Sequence, residues 1–357
     1  MSRDQSISGP ARIPKADADG AGSAWITDVT GPAEVAVPGR PSLVGRFRRG
    51  RARAYSLPVA LAALTVALVA VFEPQFYRPA NLHVLMQQWS VLGLVTLGQL
   101  LVLLVAGIDL SVGAVMNASL IIIALMNGHG LLVVSLLLCL ALGALVGAAN
   151  GVLVSVREVP PFAATLGMLA VIQGAILVYT KGIPAGNIPK SLQPVALSGV
   201  GIVPYSLIIC LGIAALLLFV LRRGTYGRKI YAVGRSPEVA RRAGISTTYV
   251  RVSAYVMCGV LAAAAGIILS AYVGYVDPEI GGNYNLESIA AAVLGGVAFT
   301  GGEGGVIGAL AGSLFLLALL NASTISSLNP FTQLIVEGAA MLVAVFAFQF
   351  LKKRTRT

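Results

Sequence analysis

Carboxylates stranded between apolar runs are the residues of this chain whose type and position could do chemistry. Asp109, two residues before Ser111, and Glu303, inside Gly301-Gly-Glu-Gly-Gly305, each end one apolar run and begin another. A carboxylate or hydroxyl at a helix start accepts hydrogen bonds from free backbone N–H groups and fixes a turn. Glu337 falls inside the apolar run 331–350, where an ionisable side chain marks function by default, although Gly338 beside it favours close helix packing. Polar or aromatic groups also interrupt other runs, namely Gln87, Gln88, Trp89, Gln99, Asn117, Asn150, Phe162, Thr165, Gln173 and Asn321. Such groups either bond a neighbouring helix or line a solute pathway.

Other chemistries lack their residues. Cys139, Cys210 and Cys258 sit in apolar runs without CxxC spacing or an adjacent histidine, so they read as packing rather than as metal or redox sites. His83 and His129 are isolated at run ends. No Ser/His pair, paired aspartates or His/Glu metal spacing falls within the apolar runs, which disfavours an intramembrane enzyme. The glycine-rich stretch Gly295–Gly305 lacks the Lys-Ser/Thr that completes a phosphate loop. No cofactor or metal is expected in this chain, and any ATP must be bound by another.

The elements that hold these residues are membrane helices. The chain is 57% hydrophobic and 11% charged, against about 25% charged for soluble domains. Its mean hydropathy is +0.86. A helix needs about 20 apolar residues to cross a bilayer. Suitable runs lie near 56–72, 85–106, 111–127, 131–154, 162–180, 204–221, 251–275, 286–299, 306–322 and 331–350. The expectation is an all-α polytopic membrane protein of about ten transmembrane helices, with 286–299 the weakest because Gly295-Gly296 interrupts it.

The net charge of +11 is topological and does not point to nucleic acid. Of 25 Lys and Arg, nine precede residue 56, eight lie in 222–251 and four follow residue 351. That is the positive-inside pattern, and an even span count puts both termini in the cytoplasm. Residues 1–55 read as a disordered basic cytoplasmic tail held at anionic lipid, 56–351 as the membrane domain, and 352–357 as a second basic tail.

Within the basic loop 222–250 lies a short helix, 236–243. Ser236 can N-cap it, Pro237 fits the first turn, Glu238 suits the positive end of the dipole, Arg241 and Arg242 the negative end, and Gly244 a left-handed cap. About two turns are too short to stand alone in water, so the helix needs a docking partner. The basic residues before it, Arg222 to Lys229, read chiefly as topology signals. A faint internal repeat lays Gly107–Asn127 over Gly301–Asn321 with seven of 21 positions identical and the acid kept in kind. Transporters often carry such repeats.

Leu-Leu-Val-Ala-Gly107-Ile-Asp109-Leu-Ser111-Val-Gly113, Pro160-Pro-Phe162-Ala-Ala-Thr165-Leu-Gly167, Gly227–Gly234 with Ala240–Ile245, and Leu294–Gly305 resemble the permease subunits of bacterial ribose/xylose-type sugar ABC importers, in the branched-chain permease superfamily. The resemblance spans about residues 55 to 350; Arg235-Ser236 stands where that family usually has Gly-Asn. It implies a multi-pass protein of the bacterial inner membrane that pairs with a cytoplasmic ABC ATPase, an extracytoplasmic solute-binding protein and a second permease copy. It makes 236–243 a coupling helix, with Ser236, Pro237, Glu238, Ala240, Arg241, Arg242 and Gly244 at the ATPase contact. Asp109, Ser111 and Glu303 become cytoplasmic acidic turns, and Gln88, Trp89, Gln99, Asn117, Asn150, Phe162, Thr165, Gln173 and Asn321 candidates for a monosaccharide pathway. The competing readings are a proton- or ion-coupled secondary transporter using Glu337 and Asp109, and an ABC permease for a branched-chain amino acid or nucleoside.

Overall fold

The computed structural model describes residues 74–183 and 186–325, with isolated positions 329, 332, 335, 338, 339 and 342. Both tails, the apolar run near 56–72 and Glu337 lie outside the described residues, and the run near 331–350 is described only at isolated positions.

The described residues are mostly helical. α1 (Pro79–Leu104) opens on Pro79, where a missing N–H costs nothing, and α2 (Val112–Met126) follows a seven-residue turn. Next come α3 (Leu132–Ser155), α4 (Pro161–Thr180) and a short α5 (Gln193–Leu197). A minimal antiparallel hairpin, β1 (Gly199–Val200) and β2 (Val203–Pro204), pairs Gly199 with Pro204 and Val200 with Val203. α6 (Tyr205–Arg223), α7 (Thr225–Arg235), α8 (Pro237–Arg242), α9 (Thr247–Val273), α10 (Tyr284–Leu294) and α11 (Val306–Ile325) complete the order.

Six of the helices are long and apolar enough to cross a membrane: α1, α3, α4, α6, α9 and α11. The expected runs near 111–127 and 286–299 form helices of 15 and 11 residues, shorter than a full crossing. At about 1.5 Å per residue the second reaches only about half the hydrocarbon thickness, because the chain turns at Gly295-Gly296.

α1 is the central strut. In its apolar window 89% of residues are buried by protein, against 17% for α4, whose Phe162, Val171 and Val178 face outward. α9 packs along α1, α2 and α3. Apolar side chains gain little by leaving lipid for protein, so helices in a bilayer associate through close packing. Gly143 of α3 lies against the Gly259 carbonyl of α9, and Gly147 against the Tyr255 carbonyl, so close that neither position has room for a Cβ.

α1 and α10 end alike. Ala106 N–H donates to Leu103 and Gly107 N–H to Val102, and Gly296 and Val297 repeat this with Val293 and Ala292. Each is a Schellman closure around a left-handed residue, Ala106 at φ 59° and Gly296 at φ 87°. An acid-bearing turn follows each, and then a helix beginning at the repeat-matched Val112 or Val306.

Candidate functional site

Asp109 sits in the turn between α1 and α2, and the helices around that turn hold it completely buried. Its Oδ1 accepts from the Ser111 amide at 2.9 Å, from Ser111 Oγ at 2.6 Å and from Asn150 Nδ2 at 3.4 Å. Asn150 Nδ2 also donates to Ser111 Oγ at 2.9 Å, which ties α3 to the turn. Three further donors hold the turn's carbonyls: Gln99 Nε2 to Asp109 O at 3.3 Å, Tyr255 Oη to Ile108 O at 3.3 Å, and Thr165 Oγ1 to Ile108 O at 3.5 Å. Burial pushes the Asp109 carboxyl above its ordinary range, and the bonds from Ser111 and Asn150 oppose that shift. Asp109 Oδ2 and Asn150 Oδ1 are buried without a hydrogen-bond partner among the described residues.

The second acidic turn is joined to the first. Gly302 N–H donates to the Leu104 carbonyl at 2.9 Å, and Tyr231 Oη of α7 donates to the Gly304 carbonyl at 2.9 Å. Glu303 is half-buried there, and its own carbonyl accepts from Ala298 N–H at 3.1 Å.

A different polar group braces the connection between α9 and α10. Asn117 Oδ1 accepts from the Gly281 amide at 2.7 Å, and its Nδ2 donates to Gln173 Oε1 at 3.5 Å. Gln173 Nε2 donates to the Pro278 carbonyl at 3.0 Å, and Asn285 Oδ1 accepts from the Gly113 amide at 2.6 Å. At the start of α1, Gln87 donates to the Ala196 carbonyl at 2.8 Å, and Trp89 Nε1 donates to Ser313 Oγ at 3.0 Å. Asn81 and Asn321 form a reciprocal amide pair at 2.9 and 3.2 Å.

The candidate pathway residues therefore do not converge on one channel within the chain. Gln99, Asn150 and Thr165 gather on the Asp109 turn, Asn117 and Gln173 on the 278–281 connection, and Trp89 and Asn321 between α1 and α11. Gln88 is half-buried and has no side-chain hydrogen bond to the described residues, while Phe162 is exposed. Tyr255, Asn285 and Asn81 are not among the residues expected from sequence; a lone Tyr or Asn in an apolar helix is the signal that marks them.

α8 is a capped, exposed helix of six residues. Ser236 Oγ accepts from Val239 N–H at 3.3 Å, and Arg242 pairs with Glu238 at 2.6 Å on the surface. Gly244, at φ 77°, donates to Arg241 O at 3.0 Å and Ile245 to Ala240 O at 3.0 Å, a third Schellman closure. Ala240 alone of the six is buried. Residues 225–235, which include part of the stretch Arg222 to Lys229 expected chiefly to fix topology, form α7. Its Tyr226, Ile230 and Val233 repeat at helical spacing and pack on the core, while Arg228 and Lys229 face out. Gly234 lies directly against the Leu104 carbonyl and the Gly302 amide, so α7 is seated on both acidic turns.

Residues 81–345 match the family described as the branched-chain amino acid transport system / permease component. The chain is 36% identical over 286 residues to the ribose import permease protein of Escherichia coli K12, an alignment covering 78% of this chain and 89% of that one. It is 32% identical over 308 residues to the fructose import permease protein of Rhizobium meliloti, covering 83% and 86%. It is 36% identical over 301 residues to the autoinducer 2 import system permease protein of Enterobacter sp. 638, covering 81% and 84%. No solved structure matches.

Proposed function

The chain belongs to the branched-chain amino acid transport system / permease component family, and from that premise we propose that it is the membrane permease subunit of an ABC importer for a monosaccharide. Relatives named for ribose and fructose import support the solute class.

The observation that carries the mechanism is the seating of α7 and α8. α8 is closed at both ends and exposes Arg241 and Arg242, as a docking helix requires. Through α7 and Gly234 it is joined by packed backbone to the turns that end α1 and α10. A separate ATPase that grips α8 more tightly in its ATP-closed state shifts the permease toward the form that fits that state. The solute path runs between two copies of the chain related by a two-fold axis, and an extracytoplasmic binding protein delivers the solute to it. On this reading about ten spans cross the bacterial inner membrane, both termini are cytoplasmic, and the long basic N-terminal tail lies along anionic inner-leaflet lipid.

Uptake by sealed vesicles containing the permease, its ATPase and receptor tests the proposal. Uptake that survives an uncoupler and stops without ATP on the ATPase side is expected; uptake abolished by the uncoupler while ATP is present overturns it.

A further inference from the structure

A cavity of about 350 Å³ opens where the α1–α2 turn, the α3–α4 turn and the base of α9 meet, lined among others by Ala106, Glu158, Pro160, Arg251 and Tyr255. Two opposite charges thus share one space, yet they do not pair: among the described residues the ion pair formed is Arg242 with Glu238. Arg251 Nε is buried with no hydrogen-bond partner. Tyr255, fully buried, commits its proton to the Ile108 carbonyl and closes the inner wall of the cavity. Of the three non-glycine residues with positive φ among the described residues, Ala106 (59°) and Glu158 (55°) both line this cavity. Backbone strain of that kind concentrates at ligand clamps.

The surroundings identify the occupant. Val156 and Phe162, which flank the cavity's Glu158–Pro161 wall in sequence, are 55% and 57% exposed and give apolar surface at the two ends of the α3–α4 turn. The cavity lies at the end of α9 that follows the basic segment Arg222–Arg242, the inner-leaflet end in the orientation proposed above. An anion alone would meet the Glu158 carboxylate, and a cation alone would meet Arg251. We propose that the cavity seats the head group of a zwitterionic phospholipid of the inner leaflet, its phosphodiester on Arg251, its ammonium on Glu158, and its chains along Val156 and Phe162. This rests on the membrane orientation of the preceding reading and is independent of which solute is carried.

The full-length chain, delipidated in detergent, is titrated separately with phosphatidylethanolamine, phosphatidylglycerol and soluble phosphoethanolamine. Lipid retained in native mass spectrometry and the shift in thermal unfolding are the readouts, neither of which depends on transport. Phosphatidylethanolamine is expected to bind about tenfold more tightly than phosphatidylglycerol, the factor expected from one charge-assisted contact, and more tightly than phosphoethanolamine, which lacks the chains. Glu158→Gln, at an exposed turn position, should erase the preference between the two lipids. Arg251→Gln should weaken both, and Arg251→Lys, which keeps the charge and guards against a folding defect, should retain them. Equal binding of the two lipids to the unmodified chain, an unchanged preference in Glu158→Gln, or phosphoethanolamine binding as tight as the lipid each overturns the assignment.

Discussion

Asn150 Nδ2 donates to Ser111 Oγ at 2.9 Å, so a side chain deep in α3 holds the turn that follows α1. The same amide reaches Asp109 Oδ1, which makes Asn150 the donor that α3 contributes to a buried carboxyl group.

Asn150→Leu should therefore destabilise the detergent-solubilised protein by about 1–3 kcal/mol, because it removes donors from groups that stay buried. Ser111→Ala should cost less, since the Ser111 amide still donates to Asp109. Thermal unfolding of the purified variants measures this, and an unchanged midpoint in Asn150→Leu would show the bonds to be incidental.

Asp109 gives stability a direction in pH. Burial raises its carboxyl in the folded state above the unfolded value, so the folded chain binds that proton more tightly. The contribution is full below the unfolded carboxyl range, about pH 4, and is lost as pH rises through the raised folded value. Asp109→Asn keeps a neutral side chain of the same shape and should flatten that decline. Parallel pH dependences in the two proteins would count against a neutral Asp109.

Gly244→Pro removes the amide that donates to Arg241 and cannot adopt φ 77°, so it should open the C-terminal closure of α8. The membrane core should still fold, because nothing lies within 4 Å of a Cβ built at Gly244. The expected phenotype is loss of ATPase co-purification and of uptake-linked ATP hydrolysis, shared by charge reversal at Arg241 and Arg242. Normal solute-stimulated hydrolysis in either variant would remove α8 from the coupling role.

Gly143→Leu drives a side chain into the Gly259 carbonyl and should separate α3 from α9, at about 1–3 kcal/mol or more. Gly167→Leu is the matched control, because that α4 position has open space around it. Yield and monodispersity in detergent should fall for the first and hold for the second.

The Asn81–Asn321 pair separates an architectural role from a solute-binding one. Asn81→Leu strands the half-buried Asn321 amide and Asn321→Leu leaves Asn81 only its bond to the Phe76 carbonyl, whereas the double change removes both members of the pair and should recover part of the lost stability. Uptake that recovers with stability in the double variant fits a helix–helix bond; uptake that stays lost assigns Asn321 to the pathway.

How much of this was legible in the sequence depended on distance along the chain. The caps of α8 could be read because Ser236, Glu238 and Gly244 act on backbone within a few residues of themselves. The shortness of α10 was signalled by Gly295-Gly296. α7 is masked in the sequence because the charges of Arg228 and Lys229 interrupt the apolar spacing of Tyr226, Ile230 and Val233. The polar groupings were not legible at all. Asn150 finds Ser111 across 39 residues and Asn117 finds Gly281 across 164. An asparagine that bonds a helix and one that bonds a solute look the same in an apolar run.

The hydrogen bond from Gly302 to Leu104, with Ala106 and Gly234 packed around it, has an evolutionary consequence. The two turns occupy matching positions of the faint internal repeat, and they meet through backbone that leaves no space for added side-chain bulk. Neither copy is then free to drift alone: enlargement at 301 or 302 must be answered by a change at 106, 234 or 235. Among divergent homologues these positions should substitute together, so that loop size at one turn is inherited jointly with loop size at the other.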